Sequence, residues 1–166
     1  MGIGNLKDER DYKNIVAEEI FKNICKMAYI SFNTNLILDF FLKREFFAFQ
    51  ANKIISLALS GSIKGFVSAK SILETYYILR KNIGNIPSQK ALLTFCSWIE
   101  VIEVDKIKIV AALQKSSKDL EDQVQLQCAL SRKNIKYLIT RKVKDFKTDA
   151  ITVLSPSDFL KIYERI

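Results

Sequence analysis

Polar side chains able to bind a cation or to activate water recur just after apolar segments of this chain. Such residues are concentrated in four stretches, and they comprise Asn33 and Asn35 after 29–32, Glu74 after GFVSA (65–69), Asp119 and Asp122 in KDLEDQ, and Thr140 and Asp145 at the end of IKYLIT (135–140) and in KVKDF. In open α/β sheets, ligands bind beyond the carboxyl ends of the strands. We therefore take these residues as the candidates for a functional site.

Carboxylates gathered from distant parts of a chain repel one another unless a cation joins them. Mg²⁺ and Mn²⁺ are typically held by one or two carboxylates together with water and substrate phosphate. Such a metal activates water and neutralises developing charge, which is the chemistry of phosphodiester hydrolysis. Each acid also has a structural interpretation, with Asp119 as an N-cap, Asp122 as a first-turn acid, Glu74 as an exposed helix residue and Asp145 as a turn cap. Their joint position at strand ends favours the functional interpretation.

The elements that must position these side chains alternate between strands and helices. Apolar segments at 29–32, 65–69, 99–104, 135–140 and 151–155 have the length and composition of strands, and helical patterns separate them. This alternation predicts a three-layer α/β/α sandwich around a mostly parallel sheet of about five strands. Residues 1–26 are amphipathic in part and predict an N-terminal helical extension, so that the α/β domain would comprise 27–166.

Composition excludes several classes of function. The chain has 166 residues, three cysteines without short ligand spacing, and no histidine, which removes His-dependent nucleophilic catalysis and His-ligated metals. No glycine-rich phosphate loop follows a strand, so a small-molecule α/β enzyme is a weak alternative. No apolar run approaches the roughly 20 residues of a membrane span, and the polar N-terminus does not resemble a signal peptide, so we expect a cytoplasmic protein without membrane contact.

The formal net charge is +8, with basic residues spread in small groups such as SRKNIK (131–136) and TRKVK (140–144). A diffuse positive excess is often only a solvated surface. It also suits a polyanionic partner, because Lys and Arg contacts to phosphate drive sequence-independent nucleic-acid binding.

Four ordered motifs resemble the PIN-domain family, and in particular the VapC-like ribonuclease toxins of bacterial toxin–antitoxin pairs. The motifs are ISFNTNLILDFF, SAKSILETYYILR, DLEDQVQLQCAL and YLITRKVKDFK, and they are followed by VLSPSDFL. The resemblance extends from about Tyr29 to Tyr163. Each motif is short, but their order and spacing together are fairly specific.

The resemblance implies a Mg²⁺- or Mn²⁺-dependent endoribonuclease, often a homodimer, that binds RNA and is held by an antitoxin protein. It places the catalytic and metal-binding site on Asn33, Glu74, Asp122 and Asp145. Asp119 would be an auxiliary acid and Thr140 a hydrogen-bonding neighbour. Asp122 is preferred over Asp119 because Ala129, seven residues further on, matches a small residue of the family's helix.

The chain departs from the family's pattern at two positions. The first acid is replaced by Asn33, and the position two after Thr140, often Asn in the family, is Lys142, which could contact phosphate. An amide offers one neutral oxygen and an NH₂ donor, so Asn33 should weaken the hold on a divalent cation. We expect the chain as written to be nearly inactive and Asn33→Asp to give metal-dependent RNA cleavage.

Two origins of Asn33 fit this sequence. It could be an engineered change that protects an expression host, or it could mark a natural chain that is a poor nuclease or a non-catalytic PIN-fold module for RNA or protein. DNA stays an alternative substrate, because a site built around phosphate and metal does not read the sugar.

Overall fold

The structure, a computed structural model, describes residues 27–164 and contains one sheet of five strands. The strands are β1 (Ala28–Phe32), β2 (Ile63–Ser68), β3 (Glu100–Ile102), β4 (Tyr137–Ile139) and β5 (Thr152–Leu154). Their order across the sheet is β3-β2-β1-β4-β5, and every neighbouring pair is parallel. All five carboxyl ends therefore meet at one edge, with β1 at the centre.

Seven α-helices connect or flank these strands within residues 27–164. They are α1 (Thr34–Phe41), α2 (Ala48–Leu59), α3 (Ala69–Ile83), α4 (Asn85–Trp98), α5 (Lys106–Leu113), α6 (Leu120–Leu130) and α7 (Pro156–Tyr163), and a 3₁₀ turn covers Val143–Asp145. The side chain of Ser155 caps α7 by accepting a hydrogen bond from the backbone N–H of Asp158, and Pro156 opens that helix.

The sheet is buried on both faces, which is why its strands are nearly continuous apolar runs. On one face, Ile30 and Phe32 of β1 pack in a core with buried residues of α1, α2, α4 and α7. On the other face, Phe66 of β2 and Leu138 of β4 pack with buried residues of α5 and α6. Successive side chains of a strand point to opposite faces, so each strand supplies both cores.

Gly65 of β2 lies tightly against two side chains on one face of the sheet. A Cβ at this position would lie 2.7 Å from the side chains of both Phe32 and Ile99. Glycine in β2 thus lets the large ring of Phe32 lie against the neighbouring strand.

The observed architecture confirms the predicted α/β/α sandwich, with a sheet that is wholly parallel. Cys128 is buried, which raises the pKa of its thiol to about 11, and Cys96 is half-buried; both are reduced. The predicted N-terminal extension, with Cys25, lies outside the described residues. Within residues 27–164, no helix has both the length and the apolar character needed to cross a bilayer.

Candidate active site

The carboxyl ends of β1 and β4 are tied together at the centre of the sheet edge. Phe32 is in register with Ile139, and the backbone N–H of Asn33 donates to the carbonyl oxygen of Ile139 at 3.0 Å. Just beyond, Nδ2 of Asn35 donates to Oγ1 of Thr140 at 3.1 Å. Asn35 and Thr140, both identified from their positions after strands, therefore hold this edge together. We refer to the group of polar side chains around it, described next, as the cleft.

Asn33 is buried and has two roles at the start of α1. Its Oδ1 accepts a hydrogen bond from the backbone N–H of Asn35 at 3.1 Å, which caps the helix. Its Nδ2 lies 3.4 Å from Oδ1 of Asp122 on α6. A backbone N–H can pair only with the amide oxygen, so the capping bond fixes the orientation of the side chain. Asn33 thus presents a hydrogen-bond donor, and no oxygen, to Asp122.

Asp122 is the most enclosed acid of the cleft, and it receives nitrogen donors on both oxygens. Besides Asn33 at Oδ1, Nζ of Lys142 lies 3.2 Å from Oδ2. The same ammonium lies 3.4 Å from Oδ2 of Asp119. Oδ1 of Asp119 accepts hydrogen bonds from the backbone N–H groups of Glu121 and Asp122, so Asp119 is the N-cap of α6. The capping role expected for Asp119 is therefore present, and it coexists with an ion pair to Lys142.

Glu74 on α3 faces the same edge from the other side. Its Oε2 accepts hydrogen bonds from Oγ1 of Thr34 at 2.8 Å and from Nζ of Lys70 at 2.7 Å. Lys70 also bridges to Oε2 of Glu121 at 2.8 Å. The hydroxyl of Thr34 accepts from Nε2 of Gln125 at 3.3 Å, which joins α1, α3 and α6 through one side chain.

The electrostatics of the cleft follow from burial and from the two lysines. Burial raises the pKa of Asp122, although the ammonium of Lys142 works against that shift. Burial would also raise the pKa of Asp119, but the backbone N–H of Asp122 and the ammonium of Lys142 hold it below its ordinary value. Burial lowers the pKa of Lys70, yet its carboxylate partners outweigh that effect and raise it. The ammonium groups of Lys70 and Lys142 are therefore charged at neutral pH.

Asp145 is the one predicted site residue that the structure leaves apart. It is exposed on the 3₁₀ turn, and no hydrogen bond or ion pair described for residues 27–164 joins it to Asn33, Glu74 or Asp122. Lys142, three residues earlier, is the side chain of this segment that reaches Asp122. Its backbone N–H donates to Oγ1 of Thr140 at 3.1 Å, which fixes where the side chain starts.

The donor set in this arrangement does not fit a divalent cation. Within residues 27–164, no three Asp, Glu, Cys or His side chains group in a way that could hold a metal. The amide oxygen of Asn33 is committed to the helix cap, and Asp122 and Glu74 direct oxygens at nitrogen donors. With Asn33 present, the cleft is a network in which carboxylates are paired with amide and ammonium groups.

Lys70, Glu121 and Gln125 take part in the cleft and were not singled out from the sequence. Lys70 precedes Glu74 by four residues, a spacing that places both side chains on one helix face and that signals an ion pair. Gln125 follows Asp122 by three residues, a spacing that likewise places both side chains on one helix face. Neither spacing by itself distinguishes a cleft from an ordinary solvated helix surface.

Comparisons with solved structures give the same architecture at low sequence identity. DNA-bound VapBC from Salmonella typhimurium aligns with a TM-score of 0.59 and 18% identity, covering 78% of this chain and 99% of that one. A toxin–antitoxin complex from Klebsiella pneumoniae gives 0.58 and 22%, covering 76% and 97%. VapC20 from Mycobacterium tuberculosis, a toxin that cleaves the sarcin-ricin loop, gives 0.52 and 15%, covering 73% and 92%.

A search of curated protein sequences finds no significant match to the chain. A family model does match, and it spans residues 29–144, from the first residues of β1 to the 3₁₀ turn. The matched span contains all of the cleft described above. The chain belongs to the PIN-domain family.

Proposed function

We propose that the chain is a toxin-type PIN protein that binds RNA at the carboxyl edge of its sheet and whose endoribonuclease activity is nearly abolished by Asn33. Three observations support this proposal: the family match, a net charge of +8, and the convergence of Asn33, Glu74 and Asp122 on one cleft. An antitoxin partner follows by analogy with neighbours that were solved as toxin–antitoxin complexes.

The observation that carries the proposal is the contact between Asn33 and Asp122. A carboxylate at position 33 could keep the cap with one oxygen and direct the other towards Asp122. Two facing carboxylates about 3.4 Å apart repel each other and thereby favour a bound cation. Mg²⁺ or Mn²⁺ would supply water activation and charge neutralisation once that acid is present. The amide replaces this repulsion with a hydrogen bond, and so removes the reason for a cation to bind.

The test is RNA cleavage by Asn33→Asp in Mn²⁺, with Asn52→Asp as the matched control. Asn52 is exposed on α2, and the control makes the same chemical change away from the cleft. We expect cleavage of a structured RNA by Asn33→Asp, abolished by EDTA, and little or none by the native chain or by Asn52→Asp. Folded, Mn²⁺-binding Asn33→Asp protein that cleaves no RNA would rule out the nuclease assignment.

A second candidate is a non-catalytic PIN module that binds RNA without cutting it. Lys70 and Lys142 favour it, because both ammonium groups are already paired with the acids of the cleft. If this second function is correct, the native chain binds RNA with an affinity that falls as the salt concentration rises. The Asn33→Asp variant then cleaves no RNA. RNA binding without cleavage in all three proteins therefore separates the second candidate from the first.

A further inference from the structure

The cleft contains more acidic groups than it can hold without compensation. Four carboxylates face it or line its rim, and these belong to Glu74, Asp119, Glu121 and Asp122. Neighbouring carboxylates repel one another, and the repulsion is greatest for Asp122 because that residue is buried. Something of positive charge must therefore stabilise the folded arrangement.

Two lysines supply that charge, and each bridges a pair of acids from different turns or helices. Nζ of Lys142 lies 3.2 Å from Asp122 and 3.4 Å from Asp119. Nζ of Lys70 lies 2.7 Å from Glu74 and 2.8 Å from Glu121, and so joins α3 to α6. Each ammonium therefore bridges two carboxylates, as a divalent cation would.

The position of Lys142 is set by more than attraction to the acids. Its backbone N–H is bonded to Thr140, and the preceding residue, Arg141, pairs with the buried Asp39 of α1. The segment after β4 is thus anchored at the side chain of Arg141 and at the backbone N–H of Lys142. Lys144, two residues further on, is also exposed on this segment but has no carboxylate within ion-pair distance among the described residues.

We propose that Lys142 and Lys70 act as built-in counter-ions that occupy the place of a divalent cation, and that Lys142 competes directly with metal for Asp122. This inference rests on the proposed function and adds a second reason for inactivity that is independent of Asn33. Restoring the acid at position 33 then yields only a weak metal site. A strong site requires that Lys142 be neutralised as well.

The experiment measures Mn²⁺ binding by the electron paramagnetic resonance signal of free Mn²⁺. The proteins are the native chain, Asn33→Asp, Asn33→Asp with Lys142→Gln, and Asn33→Asp with Lys144→Gln. We expect no binding by the native chain and weak binding by Asn33→Asp. The Lys142→Gln double variant should bind about tenfold or more tightly than Asn33→Asp, because a unit charge beside the site is removed. The matched Lys144→Gln double variant should equal Asn33→Asp.

Equal Mn²⁺ affinity of the two double variants would overturn the proposal. A Lys142→Gln variant that weakens RNA binding without changing Mn²⁺ affinity would also overturn it, and would assign Lys142 to phosphate. If the Lys142→Gln double variant does not fold, Lys142→Arg in the Asn33→Asp background keeps the charge, and the proposal requires its affinity to stay as weak as that of Asn33→Asp.

The nuclease assignment and the counter-ion role of Lys142 can be contradicted independently of each other. Tight Mn²⁺ binding by the Lys142→Gln double variant without RNA cleavage would contradict the nuclease assignment and support the counter-ion role. Cleavage by Asn33→Asp together with equal Mn²⁺ affinity in both double variants would support the nuclease assignment and contradict the counter-ion role of Lys142.

Discussion

Nε of Arg141 lies 3.1 Å from Oδ2 of Asp39, a wholly buried residue of α1. Nη1 of Arg44 approaches the other oxygen at 3.6 Å, and the guanidinium of Arg141 also lies over the ring of Phe47, 4.2 Å from its centre. Neither oxygen of Asp39 has a well-aligned hydrogen bond within residues 27–164. The ion pair thus fastens the segment after β4 to α1 while leaving the carboxylate incompletely satisfied.

Asp39→Asn should stabilise the fold relative to the native chain as the pH rises towards neutrality. Burial raises the pKa of Asp39 in spite of Arg141 and Arg44, so the folded state holds this proton more tightly than the unfolded state does. The stability contributed by protonated Asp39 is present below the unfolded pKa and is lost as the pH rises through the folded value. Denaturant unfolding between about pH 3 and about pH 7 measures the difference between the two proteins.

The exposed Asp149 offers a matched control for this pH series. Asp149→Asn should follow the native curve across the same range. The two arginines keep part of their surface in water, so removal of the acid does not strand a buried charge. A large loss of stability in Asp39→Asn at neutral pH would contradict this account.

Asn33→Ala should lower the free energy of unfolding by about 1–2 kcal/mol, because α1 loses its cap and Asp122 loses a donor. Asn33→Asp keeps the cap, since Asp and Asn are equivalent there. Its stability should instead rise when Mn²⁺ is added, whereas that of Asn33→Ala should not. Urea titrations with and without Mn²⁺ make the comparison, and a Mn²⁺ response in the alanine variant would argue against a carboxylate-dependent site.

Thr34→Val should cost about 1–3 kcal/mol, although the two side chains have nearly the same shape. The buried hydroxyl donates to Glu74 and accepts from Gln125, so its loss removes one of the two donors to Glu74 and the acceptor of Gln125 Nε2. Thr34→Ser keeps the hydroxyl and is the control, with a loss that should be clearly smaller. Thermal unfolding of both variants tests this, and equal losses would show that the methyl group rather than the hydroxyl matters.

Gly65→Ala should destabilise the fold by about 1–3 kcal/mol through overpacking. The added methyl group would lie 2.7 Å from the ring of Phe32 and from the terminal methyl of Ile99, and both side chains would have to shift within a packed core. Phe32→Leu makes room on one side and should recover part of the loss when combined with Gly65→Ala. If the stability losses of the two substitutions simply add in a double-mutant cycle, the strain does not arise from the contact between position 65 and Phe32.

The layer order and the strand positions could be predicted from the sequence because apolar runs and helical spacing alternate clearly along it. The strand ends also pointed to Asn33 and Glu74, since parallel strands bring their carboxyl ends to one edge, whereas Asp122 was singled out from the acidic cluster at the start of α6. Side-chain direction could not be predicted. That Lys142 rather than Asp145 reaches Asp122 depends on the 3₁₀ turn at Val143–Asp145 and on the anchoring of Arg141. The two contacts of Asn33 likewise depend on the first turn of α6 meeting the start of α1 at the sheet edge, although the two helices pack on opposite faces, and no local pattern encodes this meeting.

The central position of β1 has a consequence for a chain that is still being synthesised. Its partner on one side, β2, follows soon after it in sequence, but its partner on the other side, β4, begins only at Tyr137. At an elongation rate of about 5–20 residues per second, that edge of β1 stays unpaired for roughly 5–20 s. Lys142 follows β4 in the sequence, so the cleft cannot be complete before β4 has been synthesised. An incomplete nascent chain therefore exposes an aggregation-prone strand edge before its cleft is assembled.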